Sequence, residues 1–230
     1  MNKFNNINKR VFDVNHLLSK SSLVIQNFGN ASSRSNDGFV IKPSGIDLSS
    51  SSSHEMVSVD LKGNILNGKL KPSSDEPTHR YIYAKENMVN GIVHTHSKFA
   101  TAFAQANVPI KNLGTTHSDF SKYNILVTDQ LTQDETNNGY ELNTGKKILE
   151  KLQKNNINIL ETPGILSIRH GVFAWGVSIE DAFKNAEIIE YIAELNYLTN
   201  VINPDSKKIE EYIANKHFNR KNGPNSYYGQ

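Results

Sequence analysis

Residues 164–169 (Gly-Ile-Leu-Ser-Ile-Arg) and 172–175 (Val-Phe-Ala-Trp) are two runs of strand character separated only by His170 and Gly171. Two strands joined by so short a link must be antiparallel neighbours, because a parallel pair needs a crossover of a dozen or more residues. Met56–Leu61 and Ile65–Leu66 form a second such pair, with Lys62-Gly63-Asn64 as the turn.

Helical stretches alternate with these pairs. Residues 11–20 place Val11, Val14, Leu17 and Leu18 on one side. Helices are also expected at 78–86 behind Pro77, at 99–105, 144–154 and 209–218, and over 178–201. In the last and longest, Ser178 serves as N-cap and Ala182, Ala186, Ile189 and Ala193 form a stripe. Further strands are expected at 21–25, 39–42, 91–96 and 124–128, with 27–33 read as turn-rich. No internal repeat or domain boundary interrupts the chain. The pattern predicts one α/β domain over residues 1–230, a central and largely antiparallel sheet between helical layers.

The chain has 230 residues, enough to bury a core, and no cysteine. Disulfides and thiolate metal sites are therefore excluded, and any metal must be held by nitrogen and oxygen. A net charge of +2 gives no reason to expect a nucleic-acid partner. No apolar run approaches the roughly 20 residues that span a bilayer. The polar start, Met1 to Arg10, lacks a signal core, so the cytoplasm is the expected compartment.

Three clusters can carry chemistry. In Gly91-Ile92-Val93-His94-Thr95-His96 the two histidines point to one face of a strand and can share a metal ion. Two ordinary polar residues at a strand end would look the same. His170 is a candidate third ligand, but spacing does not single it out among eight histidines. Ser73-Ser74-Asp75, just before a helix, offers hydroxyls and amides for a phosphate, or simply a helix cap. Pro43-Ser44-Gly45 and Gly29-Asn30 share that ambiguity.

Taken in order, Gly29-Asn30-Ala31-Ser32, Lys42-Pro43-Ser44-Gly45, residues 71–79, residues 91–97, Gly114-Thr115-Thr116-His117-Ser118-Asp119 and residues 170–176 resemble the class II aldolase/epimerase family. The ending Tyr227-Tyr228-Gly229-Gln230 resembles its epimerases, and the likeness runs from about residue 11 to the end. It implies Zn2+ held by His94, His96 and His170, with Asp75 at the acidic position beside the metal. A phosphate pocket of Gly29, Asn30, Ser44, Gly45, Ser73 and Ser74 is implied as well. Asp119 and Tyr228 match an acid/base pair, and Glu141 and His217 match further polar positions near the site. The tail 220–230 would then contribute to the active site of a C4 homotetramer with sites at subunit interfaces. Asp75, where the family's aldolases carry glutamate, and Tyr227-Tyr228 favour an epimerase acting on a pentulose 5-phosphate. A sugar-phosphate aldolase, a sugar-phosphate dehydratase on the same fold and a non-enzymatic domain like the adducin head are the alternatives. The chain departs from the family at Ser49–Ser53 and at Arg169, which stands where a small polar residue is usual and could alter bonding to His170.

Overall fold

A computed structural model describes residues 3–48, 51–223 and 226–227. Helix α1 (Lys3–Lys20) leads into the hairpin β1 (Asn30–Ser35) and β2 (Gly38–Ile41). Strands β3 (Val57–Val59) and β4 (Ile65–Asn67) follow, then α2 (Glu76–Lys85), β5 (Gly91–Thr95) and α3 (Lys98–Ala106). Short helices α4 (Thr115–Phe120) and α5 (Gln133–Asn137) precede α6 (Tyr140–Lys154). The chain closes with β6 (Gly164–Ser167), β7 (Gly171–Gly176), α7 (Ile179–Ile202) and α8 (Glu211–Asn222).

The strands make one seven-stranded sheet in the order β4-β3-β2-β1-β5-β7-β6. Every neighbouring pair is antiparallel. Alternate residues face opposite sides. In β7, Val172 and Ala174 join the core beneath α1, α3 and α7, while Phe173 and Trp175 join the core beneath α2 and α6. Ile92 and Val93 of β5 divide in the same way. The expected sheet between helical layers is therefore the fold.

Local signals account for the element ends. Ser178 caps α7 by accepting a hydrogen bond from the Asp181 amide at 3.1 Å. Pro77 lies in the first turn of α2. The turn between β3 and β4 holds Gly63 at φ +93°.

Some expectations fail. Residues 21–25 form turns rather than a strand, and the stretch read as turn-rich contains β1 from Asn30 onward. Asn30, Ser32 and Ser33 are polar and yet buried in mid-sheet, which composition argues against. Residues 124–128 make only isolated bridges, Ile125 with Ile110 and Val127 with Leu166. Helices α4 and α5 are too short to show a periodic pattern.

His117 of α4 is buried, and its Nε2–H donates to the Tyr123 carbonyl at 2.9 Å. Burial pushes this imidazole down to about 4, against the opposing pull of the Tyr123 and Lys111 carbonyls. The folded chain thus keeps the ring neutral where the unfolded chain, with a pKa of about 6.5, takes up a proton. Its stabilising contribution is complete above pH ~6.5 and is lost as pH falls toward 4. Urea unfolding followed from pH 7.5 to 4 should show this loss, and His117→Gln should flatten part of the slope; an equal slope in both proteins would exclude His117 as a source.

Candidate active site

His94, His96 and His170 converge at one end of the sheet. In β5, His94 lies on the same face as Ile92 and opposite Phe173 of β7, on which its ring stacks at 4.2 Å and 20°. Its Nδ1–H donates to the Val172 carbonyl at 2.9 Å, which turns Nε2 toward the site. His96, two residues on, brings its Nε2 to 3.0 Å from that nitrogen. His170 comes from the turn between β6 and β7, with ring centroids 4.7 Å from His94 and 5.0 Å from His96. One ligand nitrogen from each ring lies within 4.8 Å of the others.

The turn that delivers His170 is held by main-chain bonds and by the Thr128 hydroxyl, which accepts from the Ile168 amide at 3.0 Å. Arg169 sits in the left-handed region at φ +56°, with its amide donating to the Ala104 carbonyl at 2.9 Å and its side chain exposed. Its influence on His170 therefore runs through the main chain. Gly171 next to it passes so close to β5 that an added Cβ would meet the Thr95 carbonyl oxygen at 2.4 Å.

The donor set fits a divalent cation. Nitrogens bound at about 2.1 Å around one tetrahedral zinc lie roughly 3.4 Å apart; here the His94 and His96 nitrogens are 3.0 Å apart and all three lie within 4.8 Å. Burial, and then the neighbouring His94, push His170 down to about 3, against the pull of Asp75. Burial lowers His96 as well. Rings held neutral offer lone pairs at physiological pH. Asp75, the N-cap of α2, places Oδ2 3.9 Å from His94 Nε2 and accepts from Asn30 Nδ2 at 2.8 Å. Burial raises this carboxyl, but the imidazoles of His94, His79 and His170 and the Asn30 amide outweigh it and hold the group below its ordinary range.

Two loops flank Asp75. The segments around Lys42-Pro43-Ser44 and Lys71-Pro72-Ser73 run side by side, tied by Ser44 N–H to the Lys71 carbonyl (3.0 Å) and Ser73 N–H to the Lys42 carbonyl (2.9 Å). Ser44, Gly45 and Ser74 are exposed, while Ser73 and Asn30 are buried. Gly29, at φ +91°, lies against the end of β5, where a Cβ would meet the His94 carbonyl oxygen at 2.8 Å. Gly29 and Asn30, the serine loops and the triad thus share one end of the sheet.

Two residues here went unnoticed in the sequence. Lys42 is buried, and its ammonium donates to the carbonyls of Asn27 (3.0 Å) and Gly29 (3.2 Å). Burial lowers its pKa, and Asp75 opposes this. A lysine ending the apolar strand 38–41, just before Pro43-Ser44-Gly45, was the available signal. The Tyr140 hydroxyl lies 3.5 Å from His170 Nδ1 and had no signal at all.

Asp119 stands elsewhere within the chain. It is bound by Arg220 Nε and Nη2 at 2.9 and 2.7 Å and by His217 Nδ1 at 3.0 Å. Asp119 lines a cavity with Gly176 and Val177, at the opposite end of β7 from His170, roughly 17 Å of strand away. His217 is thus grouped with Asp119 and not with the triad. Glu141 is half-buried at the start of α6, where its carbonyl accepts from Thr78. Tyr228 lies outside the described residues, as does part of the tail 220–230.

Residues 9–197 match the family described as Class II Aldolase and Adducin N-terminal domain. Two relatives, from Salmonella paratyphi A and Salmonella typhi, each carry the name L-ribulose-5-phosphate 4-epimerase UlaF. Each is 43% identical over 226 residues, covering 97% of this chain and 98% of the relative. Among solved structures, an L-fuculose 1-phosphate aldolase superposes with a TM-score of 0.79 at 20% identity, over 94% of this chain and 95% of its own.

Replacing His94, His96 or His170 by Asn should abolish tight divalent-metal binding in a chelator-competition titration, leaving the circular dichroism spectrum folded. Any one of these variants that still binds an equivalent of metal with native affinity would exclude that residue as a ligand.

Proposed function

The chain belongs to the class II aldolase and adducin N-terminal domain family, and we propose that it is an L-ribulose-5-phosphate 4-epimerase, interconverting that sugar phosphate with D-xylulose 5-phosphate. The observation that carries this reading is end-to-end identity of 43% to relatives bearing that name. Asp75 beside the triad, where the resemblance puts glutamate in aldolases, supports the same choice.

The reaction dictates what the site must do. C4 of the substrate bears no acidic hydrogen, because the carbonyl is at C2, so simple deprotonation cannot invert it. Loss of the C4 hydroxyl proton allows the C3–C4 bond to break, giving glycolaldehyde phosphate and the enediolate of dihydroxyacetone. Rotation of the aldehyde and re-addition of the enediolate to its other face complete the inversion.

His94, His96 and His170, with Asp75 beside them, would hold Zn2+. When bound, the ion supplies Lewis-acid stabilisation of the negative charge that develops on the three-carbon fragment. The loops of Ser44-Gly45 and Ser73-Ser74, with Gly29 and Asn30, grip the phosphate and retain the aldehyde while it turns. Lys42 stiffens the Asn27–Gly29 backbone under that grip and adds positive charge close by. Proton transfer is needed on both faces of the aldehyde, and Asp119 and Tyr228 supply it, one per face.

Asp119 is far from the triad of its own chain, so we place it, with Tyr228, in the site of a neighbouring copy within a C4 homotetramer. The cytoplasm is the proposed compartment; no helix among the described residues is long and apolar enough to cross a membrane.

Incubation with L-ribulose 5-phosphate should produce D-xylulose 5-phosphate without net release of glycolaldehyde phosphate. Stoichiometric release of fragments would instead identify a sugar-phosphate aldolase. Co-expression of His96→Asn with Asp119→Asn, each inactive alone, should restore measurable turnover if sites are shared between chains, and persistent inactivity of verified mixed tetramers would refute the shared site. Tyr228→Phe should slow epimerisation by roughly 10²-fold or more; an unchanged rate removes it from proton transfer.

A further inference from the structure

We propose that His79 is a positioning residue for the metal site, holding Asp75 in place from inside the core, with Ser32 and Tyr83 setting which ring nitrogen carries the proton. The proposal rests on the reading of His94, His96 and His170 as metal ligands.

Two polar clamps join β1 to α2. Asn30 and Ser32 are two residues apart and share one face of β1, a spacing of roughly 6–7 Å. Asp75 and His79 are four residues apart at the start of α2, one turn or about 6 Å. The spacings match, and the pairs form: Asn30 Nδ2 donates to Asp75 Oδ2 at 2.8 Å, and Ser32 Oγ meets His79 Nδ1 at 2.7 Å. Asn30 is also the ladder partner of His94. The start of α2, and Asp75 with it, is thus indexed to the strand beside the triad by two bonds rather than one.

His79 lies fully inside the core, edge-on to Phe173 at 6.0 Å, the same ring on which His94 stacks. Its Nε2 is buried and has no hydrogen-bond partner among the described residues. A buried polar nitrogen left so is costly and calls for an explanation.

Proton counting supplies one. The Tyr83 hydroxyl lies 2.8 Å from Ser32 Oγ and 3.0 Å from the Ser32 carbonyl oxygen. The Tyr83 O–H donates to the Ser32 carbonyl and, in this proposal, shares that proton with Ser32 Oγ; Ser32 Oγ–H then donates to His79 Nδ1, and the neutral ring carries its own proton on Nε2. That N–H is on the ring edge away from Ser32, and Asp75 caps the same helix one turn before His79. An N–H there favours the Asp75 carboxylate, whereas a bare lone pair would oppose it. The gap exceeds direct hydrogen-bond reach, and in this proposal a single buried water spans it. The polar chain Tyr83–Ser32–His79 therefore ends on the one carboxylate beside the three imidazoles.

Cobalt(II) titration of the full chain, followed by visible absorption, tests the assignment. The wild type should take one ion per chain; failure to do so would overturn both the triad reading and this one. His79→Phe keeps the ring volume and should weaken cobalt binding about 10- to 100-fold and alter the visible bands. His79→Gln, which can accept from Ser32 and donate beyond, should restore affinity to within a few-fold of wild type. Ser32→Ala should shift affinity in the same direction by less, and decides the matter if His79→Phe does not fold. Unchanged affinity and spectrum in the folded variants, with only a lowered unfolding temperature, would show that His79 merely fills the core and would overturn the positioning role while leaving the triad intact.

Discussion

The antiparallel pairing of β5 with β7 is the constraint from which the site follows. Its register sets His94 opposite Phe173 and Thr95 opposite Val172. His96 then overhangs the end of the ladder, and His170 is the last residue of the turn that returns β6 into β7. A shift of one residue would turn His94 to the other face of the sheet and scatter the three rings. Gly171 is part of this constraint, because only a residue without a side chain lets the turn close against the Thr95 carbonyl.

Electrostatics complete what geometry begins. Burial lowers the pKa of His96 and His170, which leaves their nitrogens free to offer lone pairs to a cation, and the Asp75 carboxylate stands beside them. Lys42 is buried against the Asn27–Gly29 loop, its ammonium satisfied by main-chain carbonyls. Positive charge is thereby stored beneath the serine loops and negative charge beside the rings. A phosphorylated sugar, anionic at one end and rich in polarisable oxygens at the other, matches such a layout.

Much of this was legible in the sequence where local signals are strong. The hairpin around His170-Gly171 fixed the antiparallel character of the sheet, and His94-Thr95-His96 marked a strand end with two rings on one face. Resemblance to the family, rather than spacing, singled out His170 from the other histidines. β1 looks like loop because Asn30, Ser32 and Ser33 are loop residues by type; in the fold they bond distant partners, Asn30 Nδ2 to Asp75, Ser32 to His79 and Tyr83, and Ser33 to the Asn90 carbonyl. No local pattern encodes such partners. Residues 124–128 have strand composition but find only single bridges. Asp119 and His217 found each other, with Arg220, instead of the triad, a pairing that residues a hundred positions apart cannot announce. Tyr228 falls outside the described residues.

The seam between β5 and β7 also decides when an ion can arrive. These strands are distant in the chain, and they meet only as the apolar faces of Ile92, Phe173 and Trp175 close beneath α2 and α6. The three nitrogens do not exist as a set before that closure. In small zinc modules ligation provides the free energy of folding; here the apolar core beneath α2 and α6 carries the fold, and the proposed ion would meet a framework already in place. On the proposed metal reading, a chain folded without its ion would keep the shape of the pocket and wait to be loaded.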